Sequence, residues 1–250
     1  MDALIVELSL TPTQIGYSAI VVIAAYVVRG VAGFGSALVA VPLLVLALPP
    51  VHVVPVVIAL DLMGSAGQAW AGRRVIDWRV LIPLAPFTLL GIGGALVLFS
   101  YLDAATLALA LGAFVACFAV YQLLPAPPIR ATALAAVPYG ALGGLVGTLF
   151  GTGGPFYMMY LGLRGLEKSA VRASFAAYFV MDGGVRLAGF AVYGHLQTAT
   201  LVLFAIGVPA ALVGLAIGGR LHTGLGQKQF KQLVSVLLML SGLALIYKGL

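Results

Sequence analysis

Two glycine-rich stretches are the features of this sequence best suited to binding an anion. The first consists of Gly33, Phe34, Gly35 and Ser36, and the second of Gly151, Thr152, Gly153 and Gly154. Each interrupts an apolar run without adding a polar loop, so we expect a broken helix with backbone N–H groups that lack intrahelical partners. The positive end of a helix dipole attracts anions. Ser36 and Thr152 add one hydroxyl to each break.

A few charged residues lie inside apolar runs, where charge is costly and usually faces a cavity or a partner. Asp182 and Arg186 are four residues apart, so on a helix they share a face. They either neutralise each other or couple directly to a substrate or a proton. Asp61 has no basic residue three or four positions away; it is either protonated, paired across helices or involved in coupling. Arg29, beside the first break, either guides anions or extends to an interface. These four residues are our candidates for coupling or gating.

The composition places these residues in a lipid environment. Of 250 residues, 62% are hydrophobic and only 8% are charged, against roughly 25% charged residues in a soluble domain. This excludes a soluble enzyme, a DNA-binding module and a disordered tail. The net charge of +6 does not indicate nucleic acid, because the basic residues stand between apolar runs.

The single Cys117 excludes an intramolecular disulfide. The three histidines fall in predicted loops without ligand spacing, so we expect no metal and no cofactor; they are His52, His195 and His222.

The apolar runs have the length of membrane helices. We predict ten segments, at about 13–29, 36–48, 53–71, 80–99, 104–124, 131–150, 155–163, 169–191, 198–218 and 233–247. Residues 36–48 and 155–163 are short for a perpendicular span at ~1.5 Å per residue, so each break is either a helix broken at membrane depth or a re-entrant hairpin. The predicted fold class is an all-α polytopic membrane protein, with either six spans and two hairpins or ten full crossings.

The two halves of the chain share a pattern at a shift of about 120 residues, which indicates a duplication. The shift places three glycines on three others, namely Gly33 on Gly153, Gly64 on Gly184 and Gly94 on Gly214. Three prolines at 125–130 cannot continue a helix. We therefore predict a Pro-rich linker at 125–130 between a first transmembrane repeat at 1–125 and a second at 130–250.

Loop charge predicts the sidedness of these repeats. The loops that contain Lys or Arg are 72–79, 125–130, 164–172 and 220–231, and those that contain neither are 49–52, 100–103 and 192–197. Because cytoplasmic loops are enriched in basic residues, the first group is predicted inside and the second outside, with the N-terminus outside. Equivalent loops such as 72–79 and 192–197 then lie on opposite sides. Inverted repeats with a broken helix in each are the pattern expected of a secondary transporter.

The order and spacing of these motifs resemble the sulfite exporter TauE/SafE family. The first break is followed by Val41-Pro42-Leu43-Leu44 and Leu48-Pro49-Pro50, and the second by Glu167-Lys168-Ser169-Ala170-Val171-Arg172-Ala173-Ser174. The resemblance covers nearly the whole chain and implies export of a small sulfur oxyanion or organosulfonate, such as sulfite or sulfoacetate, across the bacterial inner membrane. The chain departs from the family's first repeat at 53–57, where the family often has a small polar run, so the two repeats need not contribute equally to the site.

Within this resemblance, Arg172 and Ser174 join the glycine breaks as candidate substrate-binding residues. A guanidinium can bind a sulfonate through two hydrogen bonds; the alternative is an interfacial arginine that follows the positive-inside rule. We predict a secondary transporter that works by alternating access, with a small anion and the lipid bilayer as its partners; the sequence leaves a homo-oligomer open. The alternatives are a passive anion channel lined by the same breaks and an intramembrane enzyme, for which the sequence offers no catalytic constellation.

Overall fold

The computed structural model describes residues 11–124, 132–220 and 227–249, and these residues contain helices and turns but no strand. The longer helices, numbered in chain order, are α1 (Pro12–Ala32), α2 (Ser36–Val45), α3 (Pro50–Ala71), α4 (Trp78–Tyr101), α5 (Ala104–Leu123), α6 (Ala133–Phe150), α7 (Gly154–Leu163), α8 (Lys168–Val192), α9 (Thr198–Arg220) and α10 (Gln227–Gly249). Short 3₁₀ turns lie inside α4 and at the start of α6. Within the described residues, seven helices are long and apolar enough to cross a membrane, namely α1, α3, α4, α5, α6, α8 and α9. The predicted all-α membrane fold is confirmed.

Each of the ten predicted apolar segments corresponds to a helix, but α3 and α10 begin earlier than predicted, α10 at Gln227 rather than at residue 233. Helix α3 starts at Pro50 rather than at residue 53, because a proline at the first helical position gives up no intrahelical hydrogen bond. His52, which we predicted in a loop, therefore lies in the first turn of α3. The predicted linker at 125–130 and His222 lie outside the described residues. The division into two sequence repeats stays a prediction.

Side-chain caps fix the starts of several helices. Thr11 and Gln14 form a capping box at α1, in which the Gln14 N–H donates to Thr11 Oγ1 (3.3 Å) and the Thr11 N–H donates to Gln14 Oε1 (3.0 Å). Asp103 Oδ1 accepts from the Thr106 N–H at 2.9 Å at the start of α5. The hydrogen bonds from Thr106 lower the pKa of the Asp103 carboxyl. These caps satisfy N–H groups that a helix start leaves without partners.

The described helices form two compact units, each built from segments of both sequence halves. The first unit includes the described parts of Met1–Val57, Leu102–Ala126 and Leu196–Leu250. In it α1 packs against α9 and α5 packs against α10. Glycines allow backbone contact in both pairs: a Cβ at Gly218 would overlap the Val27 carbonyl, and a Cβ at Gly242 would lie 2.9 Å from the Gly112 carbonyl oxygen. Small residues at such contacts are typical of membrane helices.

The second unit includes Ile58–Tyr101 and the described part of Pro127–His195. Here α4 packs against α6, and α8 contacts both α4 and α7. A Cβ at Gly144 of α6 would overlap the Thr88 carbonyl, and a Cβ at Gly91 of α4 would overlap the Ala141 carbonyl. The backbones of α4 and α6 therefore touch directly.

Candidate functional site at the glycine breaks

Both glycine breaks are the turns of helical hairpins. Gly33 (φ 85°) and Gly35 (φ 94°) separate α1 from α2, and Gly151 (φ 69°) ends α6. These angles lie in the left-handed region, which glycine adopts without strain. Helix α2 returns along α1, since Tyr17 donates to the Leu43 carbonyl at 2.8 Å. The glycines therefore allow the chain to turn at both breaks.

The second hairpin, α6–α7, is closed by ring contacts. The rings of Tyr139 and Tyr160 lie 6.4 Å apart, and the Tyr157 ring fills the space that a side chain at Gly143 would need. The residues of this break, 151–154, are buried. Polar groups at the break are thus shielded by protein on both sides of the hairpin.

At the first break the polar contact is supplied by Arg29. Its side chain is 1% exposed, and Nη1 donates to Ser36 Oγ at 3.1 Å. Phe34 is half-buried beside it. The alternative in which Arg29 extends to an interface is excluded by this burial, and Arg29 instead joins the end of α1 to the first residue of α2.

At the second break the polar contact comes from α8. Arg186 is fully buried, forms an ion pair with Asp182 one turn earlier, and donates from Nη2 to the Gly143 carbonyl (3.0 Å) and to the Tyr157 hydroxyl (3.1 Å). The pairing of Asp182 with Arg186 is therefore present. The same guanidinium also ties α8 to the α6–α7 hairpin, which spacing along α8 alone did not indicate.

Glycines make room for this guanidinium. A Cβ at Gly147 would overlap the Cζ and both terminal nitrogens of Arg186, and a Cβ at Gly153 would lie 2.9 Å from Arg186 Nη2. Gly143 and Gly147, one turn apart on α6, form a close-packed face. The partner of Gly143 is the Tyr157 ring, whereas the partner of Gly147 is a charged side chain.

Several polar atoms at the second break have no hydrogen-bond partner among the described residues. They are Arg186 Nε and Nη1, both carboxylate oxygens of Asp182 apart from the ion pair, and Thr152 Oγ1. Helix α7 also has no side-chain cap at its N-terminus. Buried polar groups in proteins are almost always hydrogen-bonded. The nitrogens of Arg186 can therefore still donate to a ligand, and the oxygens of Asp182 can still accept from one.

Two aromatic hydroxyls extend the cluster, and the sequence analysis missed them. The Tyr178 hydroxyl donates to Thr88 Oγ1 at 2.7 Å, and the Tyr157 and Tyr178 rings meet edge to face at 4.9 Å. A signal for Tyr178 was present in the spacing, since the polar residues of α8 recur every fourth position, at Ser174, Tyr178, Asp182 and Arg186. All four side chains are buried, so this series is the buried polar face of α8.

The other predicted residues lie at different places. Arg172 is exposed near the start of α8, 14 positions before Arg186 and therefore about 21 Å away along the helix. Ser174 Oγ accepts from the Asp77 N–H at 2.9 Å, which fastens the 72–79 loop to α8. Asp61 is 2% exposed within α3. The structure thus brings Asp182, Arg186 and the second break together, and it places Arg172 apart from them.

Apolar helices long enough to cross a membrane, with buried charged residues at the turns of two helical hairpins, define a polytopic membrane protein. No group of metal-ligating side chains occurs among the described residues. The chain belongs to the sulfite exporter TauE/SafE family, whose model matches residues 18–245. The predicted resemblance is confirmed, and the protein is a multi-span membrane transporter by family.

Two curated relatives are similar to the chain over most of its length. A protein of Comamonas testosteroni named as a probable inner membrane transporter protein, TsaS, is 28% identical over 193 residues, which cover 76% of this chain and 80% of that protein. A protein of Cupriavidus necator named as a probable sulfite/organosulfonate exporter, TauE, is 26% identical over 181 residues, covering 70% and 71%. No solved structure matches the chain.

Proposed function

We propose that the protein is a secondary transporter that exports a small sulfur-containing anion, sulfite or an organosulfonate such as sulfoacetate, across the bacterial inner membrane by alternating access. The observation that carries this proposal is the buried guanidinium of Arg186 at the second glycine break, where two of its nitrogens have no partner among the described residues. The name of one relative mentions sulfite and organosulfonate export, and that of another mentions the inner membrane.

The chemistry of the second break suits an oxyanion. A sulfite or sulfonate group presents three acceptor oxygens, and a guanidinium presents planar N–H donors that match such groups. Arg186 Nε and Nη1 and the Thr152 hydroxyl supply donors beside the start of α7, where the helix dipole also favours negative charge. In a water-poor site these donors interact strongly with an anion. We assign substrate binding to the 151–154 break together with Arg186.

The first break contributes a second, smaller set of groups in this proposal. Gly33, Phe34, Gly35 and Ser36 form the turn, and Arg29 already donates to Ser36. The two breaks differ in which helix supplies the arginine. Arg29 belongs to α1, the first helix of its own hairpin, whereas Arg186 belongs to α8. We propose that Arg29, Asp61 and Asp182 serve coupling or gating, and that the breaks contribute unequally.

Helix packing within the units supports inverted repeats. If α1–α5 and α6–α10 are equivalent, exchanging them converts the α1–α9 pair of the first unit into the α6–α4 pair of the second. The α5–α10 pair converts into itself. Repeats related in this way are common in secondary transporters.

Contacts between loops support the predicted sidedness. Asp77 and Ser174 join two segments next to loops that charge places inside. Ser100 at the end of α4 lies 3.1 Å from His195 in the 192–197 loop, and His52 in the first turn of α3 lies 3.5 Å from Thr200 in the first turn of α9. Both contacts join segments next to loops that charge places outside. Each contact therefore joins segments assigned to the same side of the membrane. Each hairpin also returns to the side of the membrane on which it begins. We propose that each repeat contains one such hairpin and three helices that cross the membrane, with the N-terminus outside.

Arg172 and Ser174 have a different place in this proposal. Arg172 is exposed at the end of α8 that the loop charges place inside, where a positive side chain raises the local concentration of anions. Ser174 holds the neighbouring loop through Asp77. An inside-negative potential would drive an anion outward by ~2.3 kcal/mol per charge per 100 mV.

Counterflow of radiolabelled sulfite and sulfoacetate in proteoliposomes tests the proposal. Arg186→Gln should abolish saturable flux and substrate binding, whereas Arg79→Gln, at an exposed position in the first turn of α4, should retain both. Arg172→Ala should raise KM and leave kcat near the wild-type value. Saturable exchange indicates a carrier, and flux that never saturates would indicate a channel. Unchanged flux and affinity in Arg186→Gln would overturn the site assignment.

A further inference from the structure

The Asp182 carboxylate can accept more hydrogen bonds than its ion pair with Arg186 provides. Its side chain is about 1% exposed, and neither oxygen has a well-formed hydrogen bond to a described residue. The Tyr157 hydroxyl, which accepts from Arg186 Nη2, also faces this carboxylate as a hydrogen-bond donor. An ionised carboxylate offers about four acceptor positions, so Asp182 can accept further hydrogen bonds from a ligand at this site.

Asp182 and Arg186 start one helical turn apart on α8 and their charged groups meet in an ion pair, so complementary donors and acceptors lie side by side. Arg186 has unused donors and Asp182 has unused acceptors. A ligand that satisfies both carries an anionic oxygen group at one end and a hydrogen-bond donor at the other. A second anionic group in the donor's place would face the Asp182 carboxylate, and like charges in a site of low dielectric repel strongly.

We propose that the site selects organosulfonates whose carbon chain carries a hydroxyl or ammonium donor, with the sulfonate on Arg186 and the donor on Asp182. This inference rests on the proposed function and ranks affinities within its substrate class: sulfonates with a hydroxyl or ammonium group bind more tightly than sulfoacetate, which remains a weaker substrate. It makes Asp182 a specificity-determining residue in addition to the counter-ion of Arg186. A site built to bond a donor rejects the analogue that lacks it, because the buried acceptor then stays unpaired.

Three sulfonates of equal heavy-atom number isolate the donor: 2-hydroxyethanesulfonate, 2-aminoethanesulfonate and 1-propanesulfonate. Their sulfonate groups are identical, so only the terminal group differs. Calorimetric titration of the full-length protein in nanodiscs should give dissociation constants for the first two that are lower than that of 1-propanesulfonate by about tenfold or more. Sulfoacetate, with a terminal carboxylate, should bind more weakly than the hydroxyl compound.

Asp182→Asn gives the matched test, because the amide keeps the size of the side chain and removes its charge. The preference for 2-aminoethanesulfonate should collapse, and sulfoacetate should gain affinity. Asp103→Asn, which retains a capping side chain outside the site, should leave the ligand order unchanged. Should Asp182→Asn fail to fold, the order of the four ligands on the wild-type protein still decides. Equal affinity of the three matched sulfonates would overturn this inference and leave the proposed function standing, whereas no binding of any sulfonate or of sulfite would overturn the proposed function itself.

Discussion

The guanidinium of Arg186 occupies the space that a side chain at Gly147 would need. A Cβ at Gly147 would overlap three atoms of that guanidinium, although the two residues belong to different helices. The glycine is thus required by a charged side chain of α8 rather than by a turn in α6. Position 147 and position 186 form one structural unit, and neither can be changed without affecting the other.

Gly147→Ala should therefore destabilise the protein and remove substrate binding. The added methyl displaces Arg186 or separates α6 from α8, and overpacking of this kind typically costs about 1–3 kcal/mol. Gly184→Ala is the matched control, because a Cβ at Gly184 of α8 meets nothing within 4 Å. Thermal unfolding in nanodiscs, with and without substrate, measures both effects.

Combining Gly147→Ala with Arg186→Ala tests whether the destabilisation comes from the overlap with Arg186 or from the presence of any side chain at this position of α6. The free-energy cost of Gly147→Ala should be smaller in an Arg186→Ala background than in the wild-type background, since the methyl then has room. Equal melting temperatures for Gly147→Ala and the wild-type protein would contradict the packing of Arg186 against Gly147.

The sequence was sufficient to locate the helices and breaks, because apolar length and glycine clusters are local properties. Asp182 and Arg186 were also predictable as a pair, since their spacing of four holds on any helix. The reach of Arg186 to the Gly143 carbonyl was not predictable, because it depends on how α8 packs against the hairpin. Substrate binding by Ser174 stays a prediction, and its hydroxyl accepts from the Asp77 N–H, a contact between residues 97 positions apart that no local pattern encodes.

The hydrogen bond between Tyr178 and Thr88 should contribute measurably to the attachment of α8 to α4. A double-mutant cycle with Tyr178→Phe and Thr88→Val should give a coupling energy of about 0.6 kcal/mol and at most about 1.7 kcal/mol, the range for such bonds in membrane proteins. Steric-trapping unfolding measures the four free energies. Additive effects of the two substitutions would contradict a direct bond at 2.7 Å.

Ser174→Ala should loosen the 72–79 loop. The Asp77 N–H loses its acceptor, so its hydrogen exchange should accelerate while exchange within α8 stays slow. Ser169→Ala, at an exposed position in the first turn of α8, should leave the Asp77 amide unaffected. Hydrogen–deuterium exchange followed by mass spectrometry reports both variants. Unchanged exchange at Asp77 in Ser174→Ala would show that another group holds this loop.

His195 should make stability fall on acidification. Burial lowers the pKa of His195 below its ordinary value near 6.5, so the unfolded chain binds the proton at a higher pH than the folded protein does. Its contribution is fully present above the unfolded pKa and is lost as the pH falls through and below that value. The melting temperature should therefore drop more between about pH 7.5 and about pH 5.5 in wild type than in His195→Gln. Identical pH profiles for the two proteins would contradict the shift.

Cysteine labelling should place the 72–79 loop and the 192–197 loop on opposite sides of the membrane. Cys117 is first replaced by serine, and single cysteines are then introduced as Arg74→Cys and Gln197→Cys, both at exposed positions. Because Arg74 lies in a basic loop and residues 192–197 contain no Lys or Arg, the positive-inside rule assigns the first to the cytoplasm. An impermeant maleimide should label position 197 in intact cells and position 74 only after permeabilisation. Labelling of both from the same side would contradict inverted repeats, since these two loops are equivalent in the proposed duplication.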